Sequence, residues 1–437
     1  MDKKALNQLR NRLNTLSIFR GISSQPVISE LKNLLYSLDS QGLENQLKTY
    51  SAFTQAVFEG GGDLSEIVKK IVLEDENFYI TSCARGETPA ECVQVCLDAE
   101  LDLLQEVSQI TSKRIKGQID YYDFLPDWTT SDVDIKNAYH HMIDNIGGTG
   151  YGIFAKYNGF TVKDGHLVPI TNMDTQTLDS LYGYQRERNL VLENSKALVD
   201  GQKACNVLLY GDAGTGKSST IKAVCRHFYG EGLRLVEFKK NQLDDILPIM
   251  ESLSGIPLKF VFYIDDLSFG ANDDEFCALK GILEGSAASY AGNIAIYATS
   301  NRRHLVKESM EDRVGNSLHV NDSLQETMSL AARFGLTITF SKPEKELYQE
   351  IVKQLAGEYG IDMPDEELFK KAEAFAIRQN GRSPRTAKQF LQLLKIGIKL
   401  YQTKKSKPGQ SHSSRCSRMM SGIFLVLMFQ NIHHCFI

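Results

Sequence analysis

The chain has 437 residues, 42% hydrophobic and 24% charged, with 49 Lys and Arg against 54 Asp and Glu and a formal charge of −5. These fractions exclude collagen-like and disordered chains, and at roughly 100–200 residues per domain the length predicts two to four domains. No run of about 18 consecutive apolar residues occurs, which excludes a single helix built to cross a bilayer.

Residues 1–120 read as a helical amino-terminal domain. Leu6, Leu9, Leu13 and Leu16 fall at helical spacing, so the start reads as a helix rather than a secretory signal. Leu31, Leu34, Leu35 and Leu38 form a second apolar face, and Leu43, Leu47, Tyr50, Phe53, Ala56 and Val57 a third, stopped by Gly60, Gly61 and Gly62. Thr88-Pro89-Ala90-Glu91 predicts a helix start, with Thr88 capping and Glu91 at the capping-box position, continuing through Leu97, Leu101 and Leu104. Cys92 and Cys96 stand four apart on it, but without a second Cys or His pair nearby they read as small apolar residues rather than metal ligands. The eight scattered cysteines fit reduced thiols and a cytoplasmic location.

From 121 to 175 the periodicity weakens, around Pro126, Trp128, His140, His141 and the glycine run 147–152, and the segment reads as a mobile connector. From 176 to 340 the short apolar runs Val207–Tyr210, Leu235–Phe238, Phe260–Ile264, Ile294–Tyr297 and Leu336–Phe340 alternate with helical stretches. That alternation predicts a mainly parallel sheet covered on both faces. Residues 341–403 read as helices again. The remaining 404–437 is a basic linker followed by an apolar stretch, Met419–Phe429. At about 16 Å as a helix, that stretch is too short for a hydrocarbon core near 30 Å. The tail reads as disordered or extraneous to the module. From Ala374 onward there are eleven Lys and Arg and no Asp or Glu, so residues 1–373 carry a formal −16. That balance argues against general nucleic-acid binding, leaving only a local basic patch such as Arg302-Arg303.

Gly211-Asp212-Ala213-Gly214-Thr215-Gly216-Lys217-Ser218 fits G-x-x-x-x-G-K-[ST], after a predicted strand and before a predicted helix. Such a loop turns its N–H groups toward phosphate oxygens at a helix amino end. Lys217 then reaches the β- and γ-phosphates, and Ser218 joins a Mg²⁺ shell. The strand KFVFYIDDL delivers Asp265 to the sheet's carboxyl edge as a second Mg²⁺ contact, with Asp266 where a water-activating carboxylate stands. The cofactors expected are therefore ATP and Mg²⁺.

With these motifs, the region resembles an AAA+ P-loop ATPase, and the run from Asn206 to Phe340 resembles the bacterial ATP-binding family known as domain of unknown function 815. The matching segments are NVLLYGDAGTGKSSTIKAV, FVFYIDDLSF, LKGILEGS, IAIYATSNRRHL, AARFGLTITF and, in the helical region, GRSPRTAKQF. The resemblance implies an α/β P-loop core with a carboxyl-terminal helical lid, preceded by the helical domain. It gives Asn301 the place of sensor 1, with Thr299 or Ser300 taking it if the strand ends earlier. Arg333 stands as an arginine finger reaching a neighbouring subunit, and Arg385 as sensor 2 on the lid. Leu181–Gln185, with Tyr184 at its centre, lies where such proteins contact adenine; Ser219 extends the phosphate loop. Most AAA+ proteins carry Asp-Glu where this chain has Asp265-Asp266. The shorter Asp266 places fast turnover in question, with Glu275 and Glu284 as nearby alternative bases. The activity implied is ATP hydrolysis by a homo-oligomer, a ring or at least a dimer, coupled to remodelling of a macromolecular client held by the amino-terminal domain. The alternatives are a slow or non-hydrolysing nucleotide-gated binding module and a helicase-loader-like remodeller of nucleic acid. A small-molecule kinase fits Asn301, Arg333 and Arg385 less well.

Overall fold

The computed structural model describes residues 3–173, 176–268, 274–284, 292–301, 332–379 and 381–397. Arg302, Arg303 and the 404–437 tail lie outside the described residues, as do the side chains of Glu275 and Glu284. Contacts divide the chain after Gln392. Of the second unit, residues 393–397 are described; they complete the helix Pro384–Lys395 and close on a Gly397 N–H bond to the Leu394 carbonyl.

The apolar spacing of the first third produces the helices Lys3–Leu13, Pro26–Ser40, Leu43–Glu59, Leu64–Glu74 and Glu91–Ser108. Leu31, Leu34, Leu35 and Leu38 are all buried in their common core. Glu100 is buried too, and its carboxylate accepts the N–H groups of Ser17 (2.6 Å), Ile18 (3.1 Å) and Phe19 (3.0 Å), which fixes the turn after the first helix. The helix Glu91–Ser108 starts later than Thr88-Pro89 predicts. Ala90 is the cap residue and offers no side-chain bond, so Glu91 stands at the first helical position and the capping box does not form.

The stretch expected as a connector is instead folded. Trp128, Val133, Ile135, Tyr139, Met142 and Tyr151 belong to the amino-terminal core, and the Trp128 indole donates to the Ile110 carbonyl at 2.8 Å. Beyond them come the strands β1 (Gly159–Lys163) and β2 (His166–Pro169), joined by Asp164 (φ 50°) and Gly165 (φ 73°). Two successive left-handed residues make the tight turn that matches strand twist in a hairpin.

The remaining strands are β3 (Val207–Gly211), β4 (Leu233–Phe238), β5 (Lys259–Ile264), β6 (Ile294–Ser300) and β7 (Leu336–Phe340). Their order is β2-β1-β4-β5-β6-β3-β7, with every pair parallel except β1 with β2. One face of the sheet contributes Leu208, Val236, Phe262 and Ile296 to a core shared with the helices Ile246–Leu253 and Asp274–Glu284. On the other face the Tyr297 hydroxyl meets Ser195 (2.8 Å) and Asn194 (2.9 Å) of the helix Gln185–Val199. Burial on both faces is why these strands are unbroken apolar runs rather than alternating ones.

Arg234 fixes the sheet to the segment before it. Its guanidinium donates to the carbonyls of Thr149 (3.0 Å), Phe154 (2.9 Å) and Tyr229 (2.9 Å), and stacks over the Tyr229 ring at 4.2 Å. Burial lowers its pKa to about 10. After β7 the lid helices Lys345–Tyr359, Asp365–Arg378 and Pro384–Lys395 follow. The last is capped by the Ser383 hydroxyl, which accepts the Thr386 N–H at 3.1 Å one residue before Pro384. This is an α/β core with a mainly parallel sheet that carries the phosphate-loop sequence after β3, with helical regions on either side in sequence.

Candidate functional site

Strand register assembles the site. Tyr210 pairs with Ser300, so Gly211 and Asn301, each one residue farther, emerge together at the carboxyl edge. Ile264 pairs with Ala298, so Asp265 emerges beside Thr299. Because β6 lies between β3 and β5, the residue ending it stands between the phosphate loop and the two aspartates.

The loop begins at Gly211, φ 133°, where any Cβ would collide with the Phe340 carbonyl of β7. The next N–H, of Asp212, donates to that same carbonyl at 3.0 Å, and the Asp212 carboxylate accepts the Lys342 N–H at 2.9 Å. Ala213 is exposed at the loop tip. Gly214, φ 79°, faces Ser383 and Arg385 of the lid, and its carbonyl accepts the Arg385 N–H at 3.2 Å. Thr215 closes the turn by donating to the Asp212 carbonyl at 2.8 Å. Gly216 then caps the helix Lys217–His227, whose free N–H groups face the loop.

Lys217 is 5% exposed. Its ammonium donates to the carbonyls of Gly211 (3.0 Å) and Asp212 (2.8 Å) and to Asn301 Oδ1 (3.0 Å). Burial pulls its pKa below the usual lysine value, with Asp212, Asp266 and Asp265 opposing. The other end of the Asn301 amide, Nδ2, donates to Asp266 Oδ1 at 2.7 Å. Asn301 therefore bridges the loop lysine and the second aspartate. Asp265 Oδ1 accepts the hydroxyls of Ser218 (2.9 Å) and Thr299 (2.5 Å). Desolvation works to raise the Asp265 carboxyl, but the Thr299 and Ser218 hydroxyls, with Tyr263 and Lys222 nearby, hold it below the usual carboxylate range.

A cavity of about 440 Å³ runs from this loop to the lid. Gly214, Thr215, Gly216, Ser219 and Arg385 line its phosphate end, and Tyr182, Tyr184, Ile351 and Leu355 are among its apolar walls. The Tyr184 hydroxyl donates to the Ser341 carbonyl at 2.6 Å, and its ring packs 5.2 Å from that of Phe340. Tyr184 thus ties the wall to the end of β7 as well as lining it. Ser218 and Asp265 fit a hard cation such as Mg²⁺, which takes one or two protein oxygens and completes its shell with water and phosphate.

Of the sequence-predicted site residues whose side chains are described, the structure brings together all except Arg333. That residue lies three positions before β7, at the amino edge of the sheet, where the Leu336 N–H bonds the Asn206 carbonyl. A five-residue strand, about 16 Å at roughly 3.3 Å per residue, separates that edge from the phosphate loop. Two features escape sequence reading: the double role of Thr299, described below, and the lid contribution of Ile351 and Leu355. The latter sit four apart on the helix Lys345–Tyr359, a spacing that signals an apolar face but not what it covers.

Comparison with known proteins gives a short match and several partial ones. A 70-residue stretch is 39% identical to Replication factor C subunit 3 of Saccharomyces cerevisiae, spanning 16% of this chain and 19% of that protein. Among solved structures, the RuvB Holliday junction branch migration motor of Thermotoga maritima is 17% identical with a TM-score of 0.35, over 50% of this chain and 64% of that one. AMPPCP-bound DnaA from Aquifex aeolicus is 14% identical, TM-score 0.35, over 52% of this chain and 67% of that one. The family described as "Protein of unknown function (DUF815)" matches residues 154–397, more than half of the chain, from the end of the segment that Arg234 binds to the last described residue of the lid. The chain belongs to the DUF815 family.

Proposed function

We propose that the protein is a Mg²⁺-dependent ATPase that acts as an oligomer and couples its nucleotide cycle to a macromolecular client held by the amino-terminal helices. The observation carrying this reading is the bridge Lys217–Asn301–Asp266, which links the place of the terminal phosphate to the place of the attacking water. In this reading the loop N–H groups and the helix amino end hold the phosphates. Lys217 leaves the carbonyls of Gly211 and Asp212 for phosphate oxygens. Asp266 accepts the water proton while Asn301 orients that water, and Arg385 reaches the phosphates from the lid. Ser218 and Asp265 would hold Mg²⁺, which would supply charge neutralisation across the phosphates when bound. Arg333 serves a neighbouring subunit.

Phosphate release from ATP with Mg²⁺ across a protein concentration series tests it. Specific activity is expected to rise with concentration and to fall by about three orders of magnitude or more in Arg333→Ala, the range an arginine finger commands. One observation favours a second reading, a nucleotide-gated binding module: Asp266 is a short carboxylate already engaged by Asn301. Tight ATP binding that depends on Lys217, without turnover at any concentration, would select that reading.

A further inference from the structure

We propose that Thr299 is the positioning residue for both aspartates, an inference that rests on the ATPase reading above. Thr299 is 2% exposed, next to last in β6. A hydroxyl has one proton to give and lone pairs to receive, and here both capacities are used. The Thr299 Oγ1 proton goes to Asp265 Oδ1 at 2.5 Å, and the Asp266 N–H comes to Oγ1 at 2.9 Å. The Thr299 carbonyl then accepts the Leu267 N–H at 2.7 Å. One residue of the neighbouring strand thus holds three consecutive residues of the acidic turn.

The turn needs that hold. Asp266 has φ 51°, in the left-handed region that a residue with a Cβ occupies at a cost in free energy. Its N–H is held by the Thr299 hydroxyl, and that φ sets the direction in which its side chain leaves the backbone. For Asp265, the bonds from Thr299 and Ser218 both fall on Oδ1, which fixes how the carboxylate is presented at the strand end. Valine has the shape of threonine and can make neither contact; serine can make both. Asn301 acts on the substrate side of Asp266, and Thr299 acts behind both acids.

The test compares wild type, Thr299→Val and Thr299→Ser, each first shown to be folded by thermal unfolding, with Thr299→Ala standing in for an unfolded valine variant. ATP affinity is measured without Mg²⁺, and then affinity and phosphate release are followed against free Mg²⁺. The valine variant is expected to bind Mg²⁺-free ATP as wild type does, to need about tenfold more Mg²⁺ for half-effect, and to turn over about 10–100-fold more slowly, as small misplacements of reacting groups do. The serine variant is expected to recover most of both. An unchanged Mg²⁺ requirement and rate in the valine variant overturns the proposal, as does an equal loss in valine and serine, which would assign the effect to packing at this position rather than to the hydroxyl. If wild type binds ATP without turnover, the Mg²⁺ dependence of affinity decides by the same comparison. A wild type with no Mg²⁺-dependent ATP binding overturns the ATPase reading and this inference together.

Discussion

Lys217 illustrates what a single buried charge requires. Shielded from water, its ammonium must find acceptors, and it finds two loop carbonyls and Asn301. Phosphate oxygens compete for the same protons, so Lys217→Met is expected to lower ATP affinity about 10–100-fold, the worth of a charge-assisted bond, as read by equilibrium binding. At Asp265 the folded pKa lies below its ordinary value. Its contribution to stability is therefore fully present above the unfolded value near about 3.9 and is lost as pH falls through the lower folded value. The gap in urea midpoint between wild type and Asp265→Asn is expected to stay constant from about pH 8 to pH 5 and to collapse in more acidic solution. Sequence made the loop from Gly211 to Ser218 legible because that chemistry needs fixed spacing within one segment. Thr299 was legible only as a substitute for Asn301. Its real contacts depend on which face of β6 meets β5, and register across strands is not written in either segment alone.

Among the elements, the hairpin β1–β2 was missed although its signal is present. Asp164-Gly165 is the dipeptide that a two-residue turn favours, flanked by Phe160, Val162 and Leu167 at alternating positions. The strands are short and lie beyond a glycine run, so periodicity over a longer window fades there. Trp128 and Tyr139 likewise extend the amino-terminal core past the last helical apolar pattern, Leu97–Leu101–Leu104. The strands from β3 to β7 were easier, since burial on both faces writes them as unbroken apolar runs. Arg234 belongs to this scale, because it joins β4 to the segment 149–154 through carbonyls alone. Arg234→Met removes the donor from the Thr149 and Phe154 carbonyls and is expected to cost about 2–4 kcal/mol in urea unfolding. Arg234→Lys is expected to recover little of that, since an ammonium cannot reproduce the planar fork that spans them.

For the whole molecule, the separation of Arg333 from the phosphate loop by the length of β7 has a direct consequence for assembly. If Arg333 acts as the proposed finger, the loop it serves is presented by another copy. Mixing Arg333→Ala, which keeps an intact loop, with Lys217→Met, which keeps an intact finger, is therefore expected to restore part of the ATPase activity that each lacks alone. No recovery at any mixing ratio would place Arg333 outside the reaction. Architecture at this scale was readable from the order of motifs along the chain, whereas the extent of the sheet was not: it takes in two strands from ahead of the phosphate loop. Those strands also guard solubility. With β1 in place, β4 is an interior strand; a chain shortened to begin at residue 176 would leave its backbone N–H and C=O groups as an unpaired apolar border. Such a border is a template for further strands, so the shortened nucleotide core is expected to precipitate where a chain that keeps the hairpin stays dispersed.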